Sequence, residues 1–344
     1  MAEDLLIATD AGVVTVRQVK GRWDVASSSL EGWSVTDVAV SSTGRAFAGT
    51  RGDGVWTSDD AGETWQRPNR GRKGPGKVQC VTVDPHNPDR VYAGGEPIAI
   101  WVSDDAGQNW HELTSLWDVP SVPEIGYPVY AVEPHVRDIT IHPDDPLTIY
   151  AALQVGAIVK STDGGASWIL LDQDVDADVH TIVIRPDAPD HLYVATGGHD
   201  SRLGTTAGRS LYHSTDGGVS WTPLAMEFQQ EYGIPIAMHK DAPDVLFSVV
   251  AAGTPSTWRN NDRGADALLI RSADCGSSWQ VLDTGYPEIQ RDFPGAIAIS
   301  PADAQHVFVA TRKGHIYESK DGGDSWEDLA IQVPPVMTMT VTPA

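Results

Sequence analysis

Six copies of one short pattern, Ser-x-Asp-x-Gly-x-x-Trp, run through this chain: SDDAGETW from Ser58, SDDAGQNW from Ser103, STDGGASW from Ser161, STDGGVSW from Ser214, SADCGSSW from Ser272 and SKDGGDSW from Ser319. Their mean spacing is about 52 residues, a period at which repeated supersecondary units stack into propellers or solenoids. Within a unit the same order returns. An alternating strand such as VRDITIHP is followed by a second such as TIYAALQV, a third such as AIVKST, the pattern itself, and a fourth strand beginning at its Trp. Segments such as HPDDP, DPHNP and RPDAP join first to second strands with turn-forming Pro, Asp and Asn. Each unit therefore reads as a four-stranded antiparallel meander.

The ends complete the count. Residues 5 to 30 supply second, third and fourth strands without a first, and VMTMTVTPA, from Val336 to Ala344, matches the first strand of every unit. Pairing them makes one shared blade beside six complete ones. The expected fold is an all-β, seven-bladed β-propeller of four-stranded blades spanning 1–344 as a single domain, its ring closed by the two termini so that the end units leave no open sheet edge. The 33 Gly and 23 Pro fit an architecture of many turns and no long helices.

The repeated pattern resembles the BNR or Asp-box family, which includes sialidases, xyloglucan-cleaving enzymes, sortilin-type receptor domains and photosystem II assembly factors. That resemblance implies a propeller and leaves the chemistry open. In the copy at Ser161, Asp163 is placed to accept turn amides, Gly165 to adopt a positive φ, and Trp168 to carry apolar surface back into the sheet. No copy has the ligand spacing of a calcium loop, and a turn repeated in six blades is structural. Its use is to orient the disc. The long, irregular loops leading into first strands, and those joining second to third strands, lie on the opposite face, where ligand sites are expected.

Composition narrows the ligand. The net charge is −23, with 35 Asp and 12 Glu against 7 Lys and 17 Arg, which disfavours nucleic acid. Eleven of the 17 arginines (Arg51, Arg67, Arg70, Arg72, Arg137, Arg202, Arg209, Arg259, Arg263, Arg291 and Arg312) map to the loop face, so an anionic ligand is steered there, or the arginines neutralise neighbouring carboxylates. Cys80 and Cys275 lie far apart in the repeat, so no disulfide framework is indicated. MAEDLLIATDAG lacks the basic and apolar regions of a signal peptide, which fits a cytoplasmic protein, or a secreted one whose leader has been removed. No segment reads as a membrane span, and a monomer is expected.

Residues opening the first strands should ring the channel mouth: Trp33, Lys77, Gln79, His135, Arg137, Asp178, His180, Glu231, Tyr232, Arg291 and Asp292. Three chemistries compete there. Asp178, Glu231 or Asp292 would serve as paired carboxylates in glycoside hydrolysis, with Glu231 and Tyr232 similar to a sialidase pair; the absence of an Arg-Ile-Pro signature, and only Arg137 and Arg291 near strand openings, argue against a sialidase proper. Alternatively His135, His180, Asp178 and His199 would hold a divalent metal ion, with Asp172, Asp174 and Asp176 adding oxygen atoms or forming only a solvated acidic loop. In the third reading the face is a non-catalytic platform for a protein or saccharide, with Trp117, Tyr127, Tyr130 and Trp258 as contacts. The leading expectation is a carbohydrate-active, hydrolase-like propeller binding an anionic or polyhydroxylated ligand, with His135, Arg137, Asp178, His180, Glu231, Tyr232, Arg291 and Asp292 at the site.

Overall fold

Alternation of apolar and polar residues along the strands produces seven antiparallel sheets in a computed structural model, which describes residues 3–67, 73–126, 133–200, 210–288 and 290–342. Among the described residues six sheets have four strands and one has three. The three-stranded blade is the second, Val35–Val40, Ala46–Thr50 and Gly54–Ser58. The fourth strand expected there is reduced, among the described residues, to a bridge between Thr57 and Gln66. Blade 1 is built from both termini: Val336–Val341 pairs with Asp4–Thr9 in the register Leu5 to Val341 and Leu6 to Thr340, with Gly12–Val19 and Arg22–Ser29 completing the sheet. No helix among the described residues is long and apolar enough to cross a membrane.

The core lies between blades rather than within one. Leu5, Val14 and Trp23 of blade 1 pack against Phe308 and Ile316 of blade 7, and Tyr92 and Ile100 of blade 3 against Ile139 and Ile149 of blade 4. Each sheet is thus buried on both faces, which is why its central strands read as nearly continuous apolar runs such as Ile149–Leu153.

The repeated turn is a hydrogen-bonded knot. Ser161 Oγ donates to Asp163 Oδ1 at 2.8 Å and accepts from the amides of Asp163 and Gly165 at 3.3 and 2.8 Å, while Asp163 accepts from the Ser167 amide and hydroxyl at 2.8 and 2.6 Å. The other five copies repeat this arrangement. Gly165 has φ of 88°, as its position requires. Trp168, Trp221 and Trp326 are wedged between neighbouring blades.

Bonds from Ser167 to Asp163, and from Ser220 to Asp216, hold both carboxyls at about 2. A depressed folded-state pKa contributes stability above the ordinary carboxylate range that is lost as pH falls towards 2. Because Ser161 is buried and makes three of these bonds, Ser161→Ala should cost about 1–3 kcal/mol in denaturant unfolding while the propeller persists. A loss indistinguishable from zero would contradict that role.

Candidate functional site

The first strand of every blade lines a central channel. Its cavity, about 260 Å³, is walled by Thr36, Asp37, Gln79, Cys80, Arg137, Asp138, His180, Thr181, Arg312 and Thr338 among others. Several of these side chains stitch one blade to the next. Asp37 accepts from the Val81 amide at 2.8 Å and from Thr338 Oγ1 at 2.8 Å, and Asp138 accepts from the Ile182 amide at 2.8 Å. Thr36 donates to the Val78 carbonyl at 2.8 Å and Thr181 to that of Ile234 at 2.6 Å. Enclosure by the channel walls pushes the Asp37 carboxyl up to about 6 despite the amides it accepts. The same enclosure, with Asp37 nearby, pushes Asp138 up to about 7. Sequence reasoning missed both carboxylates because their positions resemble ordinary polar interruptions of an alternating strand.

Of the residues expected at the mouth, Arg137 and His180 line the cavity. His180 Nε2 lies 3.4 Å from Asp178 Oδ1 and its Nδ1 lies 2.5 Å from the Gly233 carbonyl, so the ring is clamped between two oxygens. Burial works to raise the Asp178 carboxyl, but His180 and Arg137 outweigh it and hold it at about 2. Gly197 makes this pair possible: a Cβ there would stand 2.0 Å from Asp178 Oδ2. Asp176, expected as part of a solvated loop, is fully buried and accepts the amides of Asp178, His199 and Asp200 at 3.0, 3.0 and 2.8 Å.

The remaining candidates take structural positions. Tyr232 is buried, packed edge-on against His180 (5.2 Å), Trp258 (5.6 Å) and Phe293 (6.1 Å). Glu231 donates its backbone amide to the Ala251 carbonyl at 3.1 Å, next to this aromatic group. Asp292 accepts the amides of Phe293 and Lys313 at 2.9 and 2.7 Å, bracing the loop that carries Arg312. Arg291 is exposed and donates to the Asp262 carbonyl, away from the cavity lining. Asp292 therefore acts as a loop brace in this structure, because both of its oxygens are already committed to backbone donors.

The proposed metal set is not gathered. Asp178 and His180 are paired, but His135 Nδ1 faces the Glu133 carbonyl at 3.0 Å, and His199 joins the cluster through its backbone amide. Among the described residues no group of three or more His, Cys, Asp or Glu side chains is spaced to hold a metal ion.

The arginines divide in two. Arg67 pairs with Asp53 and Arg263 with Asp266, each at 2.7 Å, while Arg70, Arg72, Arg202 and Arg209, like Tyr127 and Tyr130, lie outside the described residues. Arg51, Arg137 and Arg312 make no ion pair with a carboxylate among the described residues. They come from blades 2, 4 and 7 and act on one another: burial first, and then Arg137 and Arg51 among its neighbours, draw the Arg312 pKa down. Burial, with Arg137 and Arg51 nearby, also lowers His135 to about 4, leaving it neutral at neutral pH. The guanidinium of Arg312 rests over the Phe293 ring at 5.6 Å, and Phe293 stacks on Trp258 at 5.0 Å. Third-arginine convergence was invisible in the sequence, since Arg51 and Arg312 sit on loops between second and third strands rather than at first-strand openings.

Comparison with known proteins agrees with this architecture. The family model described as "BNR/Asp-box repeat" matches residues 101–112, which span the copy at Ser103. The chain is a β-propeller that carries a match to this repeat. Xyloglucanase Xgh74A of Acetivibrio thermocellus is 26% identical over 202 residues, covering 52% of this chain and 24% of that protein. The match thus spans about a quarter of that relative's length. Among solved structures, the GH74 xyloglucanase from Xanthomonas campestris superposes with a TM-score of 0.69 at 18% identity, covering 98% of this chain and 52% of that one. YCF48 bound to D1 peptide superposes with a TM-score of 0.57 at 16% identity, covering 95% and 85%. At these identities the two structures establish the fold of the propeller alone.

Proposed function

We propose that this propeller is a carbohydrate-active protein that binds a saccharide bearing an anionic group at the channel mouth. The observation that carries the reading is the grouping of Arg51, Arg137 and Arg312, none of which makes a direct ion pair with a carboxylate among the described residues. In a chain of net charge −23, guanidinium groups that make no direct ion pair among the described residues, and that repel one another from three blades, are relieved by an anion from solution, although Asp178, Asp138 and Asp292 stand near enough to feel their charge. The likeness to xyloglucanases supports the saccharide class. Neutral His135, whose Nε2 is buried without a hydrogen-bond partner among the described residues, adds a ring nitrogen close to Arg137, of the kind that meets a sugar hydroxyl.

Calorimetric titration with galacturonic acid, against glucose as the neutral control, tests this. Arg137→Ala and Arg312→Ala should each weaken galacturonate binding roughly ten- to hundredfold, as expected for loss of a charged hydrogen bond. Equal binding of both sugars, or unchanged affinity in the variants, would overturn the reading. The same cations fit a peptide carboxylate, as the YCF48 complex with D1 peptide brings to mind, so an acidic peptide belongs in the titration as the competing outcome.

A second reading, glycoside hydrolysis, is favoured by one observation: two carboxyls whose surroundings push them apart, Asp178 to about 2 and Asp138 to about 7. Asp138 would then be the proton donor and Asp178 the base. Turnover of chromogenic uronides that survives both Asp138→Asn and Asp178→Asn would exclude these assignments.

A further inference from the structure

The cavity's 260 Å³ falls below the roughly 300–1,000 Å³ of pockets that enclose drug-sized ligands, leaving room for about one sugar unit. Any longer saccharide must leave the mouth across its rim. Beside the blade 2 strand that lines the cavity stands an aromatic pair. Trp33 ends the loop that leads into the first strand and is 36% exposed. Its ring leans on Trp56 of the third strand, with centroids 6.5 Å apart and planes at 49°. Trp56 is half-buried and anchored in the core shared by blades 1 and 2. Thus one indole presents surface to solvent and the other fixes it from behind.

This shelf is joined to the cationic site. The Arg51 amide donates to the Ser34 carbonyl, next to Trp33, at 2.9 Å, and the Trp33 amide donates to the Leu30 carbonyl at 3.1 Å. Thr36 and Asp37, three and four residues beyond Trp33, already line the cavity. A ring held this way loses little freedom when a ligand stacks on it, and the apolar C–H face of a pyranose complements an indole face while its hydroxyls remain in water. Trp117, 41% exposed, instead points its indole N–H to Glu112 at 3.5 Å on an outer strand of blade 3.

We infer that Trp33, backed by Trp56, is a stacking subsite for the second pyranose unit of a saccharide whose charged unit lies among Arg51, Arg137 and Arg312. The inference rests on the reading of the mouth as a saccharide site. It predicts a dependence on chain length that the arginines alone do not produce.

Calorimetry with galacturonic acid, its dimer and its trimer separates the two. The unaltered protein should gain roughly tenfold in affinity from monomer to dimer, the size expected of one aromatic stacking contact, and little more at the trimer. Trp33→Ala should abolish that gain and leave monomer affinity within about twofold, and Trp33→Phe should restore most of it. A gain that persists in Trp33→Ala, no gain in the unaltered protein, or a variant that loses monomer and dimer equally would each overturn the subsite while leaving the arginine site standing. Absence of binding to all three compounds would instead overturn both readings.

Discussion

Removal of residues 336–344 is expected to unfold the ring, not merely to loosen one blade. The strand Val336–Val341 buries Val336, Met339 and Val341, which are 2%, 7% and 6% exposed. At about 1.5–3 kcal/mol each, these three side chains stabilise the fold by roughly 5–9 kcal/mol, comparable with the whole stability of an ordinary domain. Its loss also strips the partner from Leu5, Leu6, Ile7 and Ala8, all fully buried, and exposes their strand edge. Two further ties disappear, the Thr342 amide to the Asp4 carbonyl at 2.9 Å and Thr338 Oγ1 to Asp37. The truncated chain should show no cooperative melting transition and should aggregate in light scattering. A synthetic peptide of residues 334–344, added in excess, should restore the transition because the missing strand supplies only pairing and burial. A truncated chain that melts within a few degrees of the full one would show that closure contributes little.

Between pH 5 and pH 8 the unaltered protein should lose stability relative to Asp138→Asn. The Asp138 carboxyl is raised to about 7 by its enclosure and Asp37 to about 6, both above the ordinary range. A raised carboxylate pKa means that the folded state holds its proton more tightly than the unfolded chain. The penalty therefore begins near pH 4, grows as pH rises through about 7, and levels off above it. At about 1.4 kcal/mol per unit, Asp138 accounts for a few kcal/mol, reduced by whatever solvent the channel admits. Asparagine stays neutral and its carbonyl oxygen can still accept the Ile182 amide. Alanine cannot, so Asp138→Ala should be less stable than Asp138→Asn by about 1–3 kcal/mol at both ends of the range. The depressed carboxyls, including Asp178 and Asp163 at about 2, titrate below this window, whereas His135 and His213, lowered to about 4, add stability as pH rises towards 6.5, so the difference between the unaltered protein and Asp138→Asn is what isolates Asp138. Denaturant unfolding at several pH values measures the slope; an unchanged slope in Asp138→Asn would refute the assignment.

Much of the fold was legible because a repeat announces itself locally. The turn at Ser161 needs only eight consecutive residues to form its knot, so its chemistry and its count are both visible in the chain, and from them follow the blades, the orientation of the disc and the strand exchange at the termini. The one departure, the shortened fourth strand of blade 2, falls where Gln66 alone bridges to Thr57. The site was legible only in part. Arg137 and His180 line the channel as their place at the opening of a first strand predicts, because every first strand reaches the channel. Asp292 was chosen by the same rule, but its carboxylate turns to the amides of Phe293 and Lys313, a local competition for hydrogen bonds that position along a strand does not reveal.

By itself, the sequence determined the number of blades, the manner of closure and the face on which a ligand is to be sought, since periodicity and turn chemistry act over a few neighbouring residues. Only the tertiary structure decided which side chains meet. Arg51, Arg137 and Arg312 are separated by 86 and 175 residues along the chain, yet ring closure brings their charges within reach of one another. Whether an arginine is neutralised or left for a ligand depends on which carboxylate stands beside it. That is a property of packing between blades, and no local pattern encodes it.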